Sequence, residues 1–513
     1  MLKRLFNRGD ILLIFISLFA MLIEIIPNLF GGYGYFIDEW YYIACAKHLA
    51  FGYVDHPSLA PLVLRGVLMT LGGSIIAIRL LPAIVGGAIV FLTGRMTREL
   101  GGGVFAQAVA CLAMIAGPAF MVIFGFFSVN IFEMFFWTLC WYFLVKLLKT
   151  DDPRYWIWLG IAFGLGLESK HTIALLGIAI CAGLLVTKSR KYFGCKEFWI
   201  GWAIAFLLIL PNLIWQYFNG WPSLEFYRNA TIYKNIATPP LKELLSQILF
   251  WNPVSSPVWI IGLAALLIRK DLQRYRPLGW MFAALFAIMV VSQSSRPDRI
   301  AGGYPVIFAA GGFAIEAFII MMKRQAKFLK PAVITLLIIG GLVLAPIGLP
   351  ILPPQTLAKW ATTLAVVPKL EKGKNSQLPQ WFGDRFDWNI FISTITKVYN
   401  DLPPEDKARA IIFAPSYGHA GVLEFYGPAL GLPRVISNHN NYYLWGKGHA
   451  DSDVLIAVGG SRWDWLHVYS QVDSVGVVPG TYAMSWRVNM PIFICRQPTT
   501  PMNAIWDRIK HYE

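Results

Sequence analysis

YGYFIDEWYYIACAKHLAFGYVDHPSLAP, residues 33–61, is a polar and aromatic interruption between two hydrophobic segments. It holds the adjacent acids Asp38 and Glu39, then Asp55-His56-Pro57. The apolar run before it, ILLIFISLFAMLIEIIPNLF at 11–30, meets the length of about 20 residues that a helix needs to cross a bilayer. A basic segment, MLKRLFNRGD, precedes that run and no small-residue cleavage site follows it. This predicts an uncleaved first helix rather than a removed signal peptide.

Composition agrees. The 513 residues are 56% hydrophobic and 14% charged, and mean hydropathy is +0.54. That leaves too little polar surface for a soluble protein of this size, so the class is an integral membrane protein. The 20 tryptophans suit residues at bilayer interfaces. Net charge is +15, but the basic residues fall between apolar runs rather than in one patch. Cytoplasmic connections explain them, and nucleic-acid binding does not. The six cysteines show no metal-ligand spacing.

Eleven apolar segments are candidate spans: 11–30, 76–96, 103–122, 126–148, 155–168, 171–187, 198–217, 248–268, 278–293, 301–322 and 331–352. The stretch 59–73 reads as an interfacial or re-entrant helix. With a cytoplasmic N-terminus, that side receives Lys3, Arg4 and Arg8, then Arg95 and Arg98, then Lys146, Lys149 and Arg154. Lys188, Arg190, Lys191 and Lys196 follow, then Arg269–Arg276 and Lys323–Lys330. The opposite connections hold far fewer Lys and Arg, which is the positive-inside pattern. The expectation is a multi-pass membrane protein whose N-terminus is cytoplasmic and whose C-terminal part is extracytoplasmic. That part begins after Pro350, Pro353 and Pro354, which break the last helix. A polar linker, KLEKGKNSQLP, leads to short apolar runs: ARAIIFAP, DVLIAVGG, SVGVVPG and PIFICR. These read as strands. The predicted division is a transmembrane domain at 1–352, with its first loop at 31–75, and an extracytoplasmic α/β domain at 353–513.

In this topology the unusual polar residues fall on one side. Asp38, Glu39, Asp55 and His56 are in the first outer loop. Asn130 and Glu133 open the fourth span, Lys170 and His171 lie between the fifth and sixth, and Arg296 and Arg299 between the ninth and tenth. Ionisable groups at a membrane edge are costly and tend to mark function. Bland readings exist: Asp55-His56-Pro57 can be a turn, and Lys170 can snorkel. Two arginines on the side poor in cations suit a phosphate, which Arg binds through paired hydrogen bonds. A carboxylate near it could remove a proton from an acceptor hydroxyl or amine. An acid pair with histidine is also compatible with a divalent metal ion.

The run DEWYYIACAKHLAFGYVDHPSLAP resembles the first periplasmic loop of the bacterial protein-mannosyltransferase-like superfamily. SVNIFEMFFW, GLGLESKHT, LPNLIWQYFNGWPSLEF, SRPDRIAGGYPVIFAAGGFAIE and SYGHAGVLEFYGPALGLPRVISNHNNYYLWG extend the resemblance over most of the chain. The superfamily comprises GT-C membrane glycosyltransferases that use polyprenyl-phosphate sugars. It includes protein O-mannosyltransferases and the aminoarabinose and galacturonic acid transferases of lipopolysaccharide. The resemblance implies a GT-C fold and Asp38 as catalytic base, with Glu39 and Asp55 assisting. The aminoarabinose transferases carry an acid, Lys and two prolines where this chain has Asp55, His56, Pro57 and Ser58. Many members carry Asp where this chain has Asn130, with Glu133 one turn later.

The expected function is therefore transfer of a sugar from a polyprenyl-phosphate donor to an envelope glycan, lipid or protein, with inversion. Lys170, Arg296, Arg299 and His56 are the candidates for the donor phosphate. Asn130, Glu133 and His171 are further site candidates. A transporter or lipid flippase is the alternative, but it requires charges spread along a path through the bilayer. A scaffold whose C-terminal domain does the work leaves Asp38 and Glu39 unexplained.

Overall fold

The computed structural model describes residues 8–292, 296–363, 371–372, 376–446 and 453–513. Lys3, Arg4 and the linker residues 369–370 and 373–375 lie outside the described residues. Among the described residues, seven helices are long and apolar enough to cross a membrane. They are Gly9–Phe30, Ile75–Glu99, Val129–Thr150, Lys196–Phe218, Gln273–Ser292, Pro297–Met321 and Lys323–Gly348. Two bent pairs raise the number to nine: Val104–Ile115 with Pro118–Phe124, and His171–Leu185 with Lys188–Gly194.

The expected count of eleven is not reached by helix length. The other two segments form Tyr155–Leu167 and Ser256–Ile268, of 13 residues each. At 1.5 Å per residue such a helix is about 20 Å long, short of the roughly 30 Å hydrocarbon core. The cause is local at 248–268. Asn252 takes a left-handed backbone (φ 77°) before Pro253, and its side chain donates to the Ala116 carbonyl at 2.9 Å. Asn tolerates that conformation, and a helix cannot run through it.

Contacts divide the chain into two compact units. One comprises residues 1–32, 76–214 and 236–352; the other comprises 33–75, 215–235 and 353–513. In the first, glycines let helices meet closely. A Cβ at Gly262 would collide with the Ile307 carbonyl, and one at Gly311 with that of Val258. Small residues at helix contacts are the usual device where lipid removes the hydrophobic drive. Basic connections gather at one end of this unit. Asp10 pairs with Arg95 and Arg98 at 2.8 Å each, Glu99 pairs with Lys146 and Lys149, and Arg274 donates to the Lys149 carbonyl. Helix Val129–Thr150 carries Lys146 and Lys149 at this end and Asn130 and Glu133 at the other.

The second unit is built on a five-stranded sheet. The strands are β1 (Ala410–Phe413), β2 (Val435–Ile436), β3 (Val454–Val458), β4 (Tyr469–Val478) and β5 (Met490–Pro498). Their order is β2-β1-β3-β5-β4, with β1 parallel to β2 and β3, and β5 antiparallel to β3 and β4. Ile411, Phe413, Leu455, Ala457, Phe493 and Cys495 form its buried face. The chain leaves β1 through helix Tyr417–Tyr426, and helices Ile37–Lys47 and Leu59–Thr70 of the first loop belong to the same unit. All six cysteines are free thiols.

Candidate active site

Helix Ile37–Lys47 begins at the acid pair. Its first-turn amides favour negative charge, and Glu39 exploits this directly. The buried Glu39 carboxylate accepts the Phe36 amide proton at 2.8 Å, which caps the helix. Asp38 is only partly buried and faces a different neighbour: Tyr417 donates its hydroxyl to Asp38 Oδ1 at 2.7 Å. No described group hydrogen-bonds Asp38 Oδ2. Tyr41, one turn after Asp38, donates to Asp55 Oδ1 at 2.9 Å, with Asn441 Oδ1 as a second acceptor at 3.2 Å. Asn441 Oδ1 also accepts from the Val54 amide at 2.6 Å. The Tyr41 and Tyr417 rings pack 4.7 Å apart. Each of the two carboxylates is thus held by one tyrosine, and the tyrosines hold each other.

Burial raises the Asp38 pKa above the ordinary carboxylate value. The Tyr417 hydrogen bond and the Lys234 charge oppose that shift, while Asp55 and Glu371 add to it. Lys234 is itself paired with Glu371 at 3.6 Å. Asp38 is therefore a carboxylate kept more basic than usual, with a neutral donor on one oxygen.

His56 is fully buried. Its Nδ1 donates to the Pro57 carbonyl at 2.8 Å, and its ring packs against Tyr41, Tyr42 and Tyr53. His56 Nε2 lies 4.0 Å from Asp55 Oδ1. Enclosed this way, His56 shapes the turn that presents Asp55; it does not offer an exposed donor to a phosphate.

The membrane unit holds the second polar cluster. Lys170 Nζ is 2.8 Å from both Glu133 Oε2 and Asn130 Oδ1. Thr172 donates to the other Glu133 oxygen. His171 Nε2 meets Asn212 Oδ1 at 3.0 Å. Arg296 pairs with Asp298 at 3.1 Å. A small cavity touches Asn130, Glu133 and Asp298. Arg299 acts electrostatically on Glu243, whose carboxyl is nonetheless pushed above its ordinary value by burial. The Lys170, Arg296 and Arg299 cations thus each have an acid beside them.

Among the described residues no group of three or more His, Cys, Asp and Glu could hold a metal ion. In the first loop Asp38 and Asp55 face tyrosine hydroxyls, and Glu39 faces the Phe36 amide. The divalent ion that the acid pair suggested is given no part in the reaction, and no step is routed through one.

Sequence reasoning missed Tyr41, Tyr417, Asn441 and Glu371. A signal existed for Tyr417. In SYGHAG, Ser416 caps the helix after β1 by accepting the His419 amide, so the next residue sits at the mouth of a parallel strand. Sites in α/β sheets gather outside the carboxyl ends of such strands.

A family model described as dolichyl-phosphate-mannose-protein mannosyltransferase matches residues 55–215. ArnT from Cupriavidus metallidurans in the apo state superposes with a TM-score of 0.60 at 15% identity, covering 94% of this chain and 97% of that one. The chain has the ArnT fold. ArnT bound to undecaprenyl phosphate gives the same TM-score and coverage at 13% identity. The S. cerevisiae Pmt1-Pmt2 protein O-mannosyltransferase complex bound to the sugar donor aligns over 43% of this chain and 34% of that one, at 17% identity and a TM-score of 0.34. No curated protein matches. The ArnT-like architecture makes this a multi-pass membrane protein of GT-C fold carrying a small sheet domain.

Proposed function

We propose that this protein transfers a sugar from a polyprenyl-phosphate donor to a hydroxyl or amine of an envelope lipid, glycan or protein. The observation that carries the reading is Asp38: a carboxylate with a raised pKa, one oxygen held by Tyr417 and the other without a hydrogen bond among the described residues. The likeness to ArnT, solved with undecaprenyl phosphate, supports the donor class. The match to the mannosyltransferase family model supports the reaction class.

In the reaction, the acceptor oxygen or nitrogen attacks the anomeric carbon while Asp38 takes its proton. The bond from that carbon to the phosphate oxygen breaks, and polyprenyl phosphate leaves with the electron pair. One displacement with one base inverts the anomeric carbon. Lys170, Arg296 and Arg299 are the cations assigned to the departing phosphate. Because acids accompany them, their net field is smaller than the sequence alone suggests. Asp55 supports Asp38 electrostatically, and Glu39 holds the helix start. The orientation is N-terminus cytoplasmic in a bacterial inner membrane, with the C-terminal unit outside.

The test uses the purified full-length chain in nanodiscs with undecaprenyl-phosphate-linked mannose, glucose, galacturonic acid and aminoarabinose. Membranes of a deletion strain supply the acceptor. Release of undecaprenyl phosphate with sugar appearing in an acceptor supports the reading. A folded protein that turns over none of the donors contradicts it.

A further inference from the structure

Asp38 and Asp55 are each held by a tyrosine, and one short stretch holds both tyrosines. Tyr417 opens the helix Tyr417–Tyr426, which lies close against helix Ile37–Lys47. Two glycines allow this approach. A Cβ at Gly421 would lie 2.7 Å from the Trp40 carbonyl oxygen, and one at Gly418 would collide with Ile37. The Tyr417 amide donates to His439 Nδ1 at 3.3 Å, and the two rings pack at 4.6 Å. The opposite nitrogen, His439 Nε2, donates to the Glu513 backbone oxygen at 3.0 Å. An imidazole that accepts at Nδ1 and donates at Nε2 is the neutral ring with its proton on Nε2. Two residues on, Asn441 accepts from the Tyr41 hydroxyl and from the Val54 amide.

The stretch is itself tied down. Asn440 N–H donates to the His511 carbonyl at 2.9 Å, and His511 N–H donates to the Asn438 carbonyl at 3.0 Å. The Glu513 amide donates to Asn440 Oδ1 at 3.1 Å, and Asn229 donates to the Tyr512 carbonyl at 2.9 Å. Tyr443 stacks on Trp506. A segment near the end of the chain, Ile509–Glu513, is therefore a strap across Asn438–Asn441.

We propose that Asn438–Asn441, fastened by Ile509–Glu513, is the positioning element of the acid site, acting on Asp38 through His439 and Tyr417 and on Asp55 through Asn441 and Tyr41. None of these residues needs to touch substrate; they set where the carboxylates sit and how readily Asp38 gives up its proton. The inference rests on the reading of Asp38 as the base. Tyr417 is the largest favourable influence on the ionised form of Asp38, with Lys234 beside it and Asp55 and Glu371 opposing. Removing the hydroxyl leaves burial and two acids with less to offset them, so the proton is held more tightly.

The experiment titrates the carboxylic-acid infrared band of the full-length protein in nanodiscs, without any ligand. The band lost in Asp38→Asn assigns Asp38. In Tyr417→Phe its midpoint is expected to rise by about one pH unit or more, one unit being tenfold in the protonation equilibrium. His439 divides the relay. His439→Asn keeps an acceptor where Nδ1 was and is expected to stay near wild type. His439→Gln keeps only the donor toward Glu513 and is expected to shift the midpoint upward, by less than Tyr417→Phe. With the donor that turns over, the acid limb of kcat is expected to move with the band while KM holds. An unmoved midpoint in folded Tyr417→Phe overturns the proposal. If that variant does not fold, an unmoved midpoint in His439→Gln overturns it. Near-native turnover by Asp38→Asn defeats the base reading instead, and the infrared result still decides whether the strap positions the acid.

Discussion

Asp38 and Asp55 of the second unit are held in the opposite way from Glu133 and Asp298 of the membrane unit. Asp38 and Asp55 receive tyrosine hydroxyls, whereas Glu133 and Asp298 receive Lys170 and Arg296. A neutral donor stabilises a carboxylate modestly and leaves it able to accept a proton. A paired cation favours the charged carboxylate, and where the acid is buried the pair depends on both members. Raised basicity is therefore seen at Asp38, and ion pairing at Glu133 and Asp298.

The largest expected effect breaks the first set. Asp38→Asn keeps size and folding but is expected to lose transfer by roughly 10²–10⁴-fold, the range for removing a general base. Single-turnover release of undecaprenyl phosphate measures it. Full activity there, with Asp55→Asn inactive, moves the base to Asp55.

Next, Lys170→Met should destabilise the membrane unit by about 3–5 kcal/mol, because it leaves Glu133 buried without its cation. A thermal melt reads this. Adding Glu133→Gln should restore much of the loss. If Lys170→Met melts like wild type yet loses donor use, Lys170 serves the phosphate and its pairing with Glu133 counts for little.

Arg296→Ala and Arg299→Ala should each weaken donor use by roughly 1.5–3 kcal/mol, the worth of a charge-assisted bond. Steady-state kinetics on the donor check this. Unchanged kinetics in the double variant removes both from the phosphate.

The smallest effect sharpens the contrast inside the acid pair. Glu39→Gln keeps an oxygen for the Phe36 amide, so it should cost about 0.5–1 kcal/mol of stability, as for a weakened cap, and leave transfer within a few-fold. Loss of activity comparable to Asp38→Asn would return Glu39 to the chemistry.

What the sequence shows of this arrangement follows from the range of each interaction. Membrane class and nine of the eleven apolar segments are written in continuous local hydrophobicity, and helices or bent helix pairs long enough to cross appear where those runs lie. The 248–268 run misleads because Asn252 and Pro253 interrupt it while every neighbour stays apolar. Four short runs predicted strands that match β1, β3, β4 and β5. The strand β2, two residues in LPRVIS, is too short to leave a pattern. Asp38 stands out because an acid pair among aromatics is unusual. Its partner Tyr417 is 379 positions away, and nothing local in either segment records a hydroxyl between them. Lys170 reads as a snorkelling or phosphate-binding cation, and its pairing with Glu133, 37 positions earlier, arises only through helix packing.

The pH dependence of undecaprenyl phosphate release, in wild type and Asp38→Asn, tests the central claim most directly. Because burial raises the Asp38 pKa, the base is protonated and idle below that raised value and ionised above it. Activity should therefore fall on acidification with a midpoint above the roughly 3.9 of an ordinary aspartate. That limb should be absent from the residual activity of Asp38→Asn. A wild-type rate that stays flat through the ordinary aspartate range, or a limb that survives in Asp38→Asn, would contradict the account.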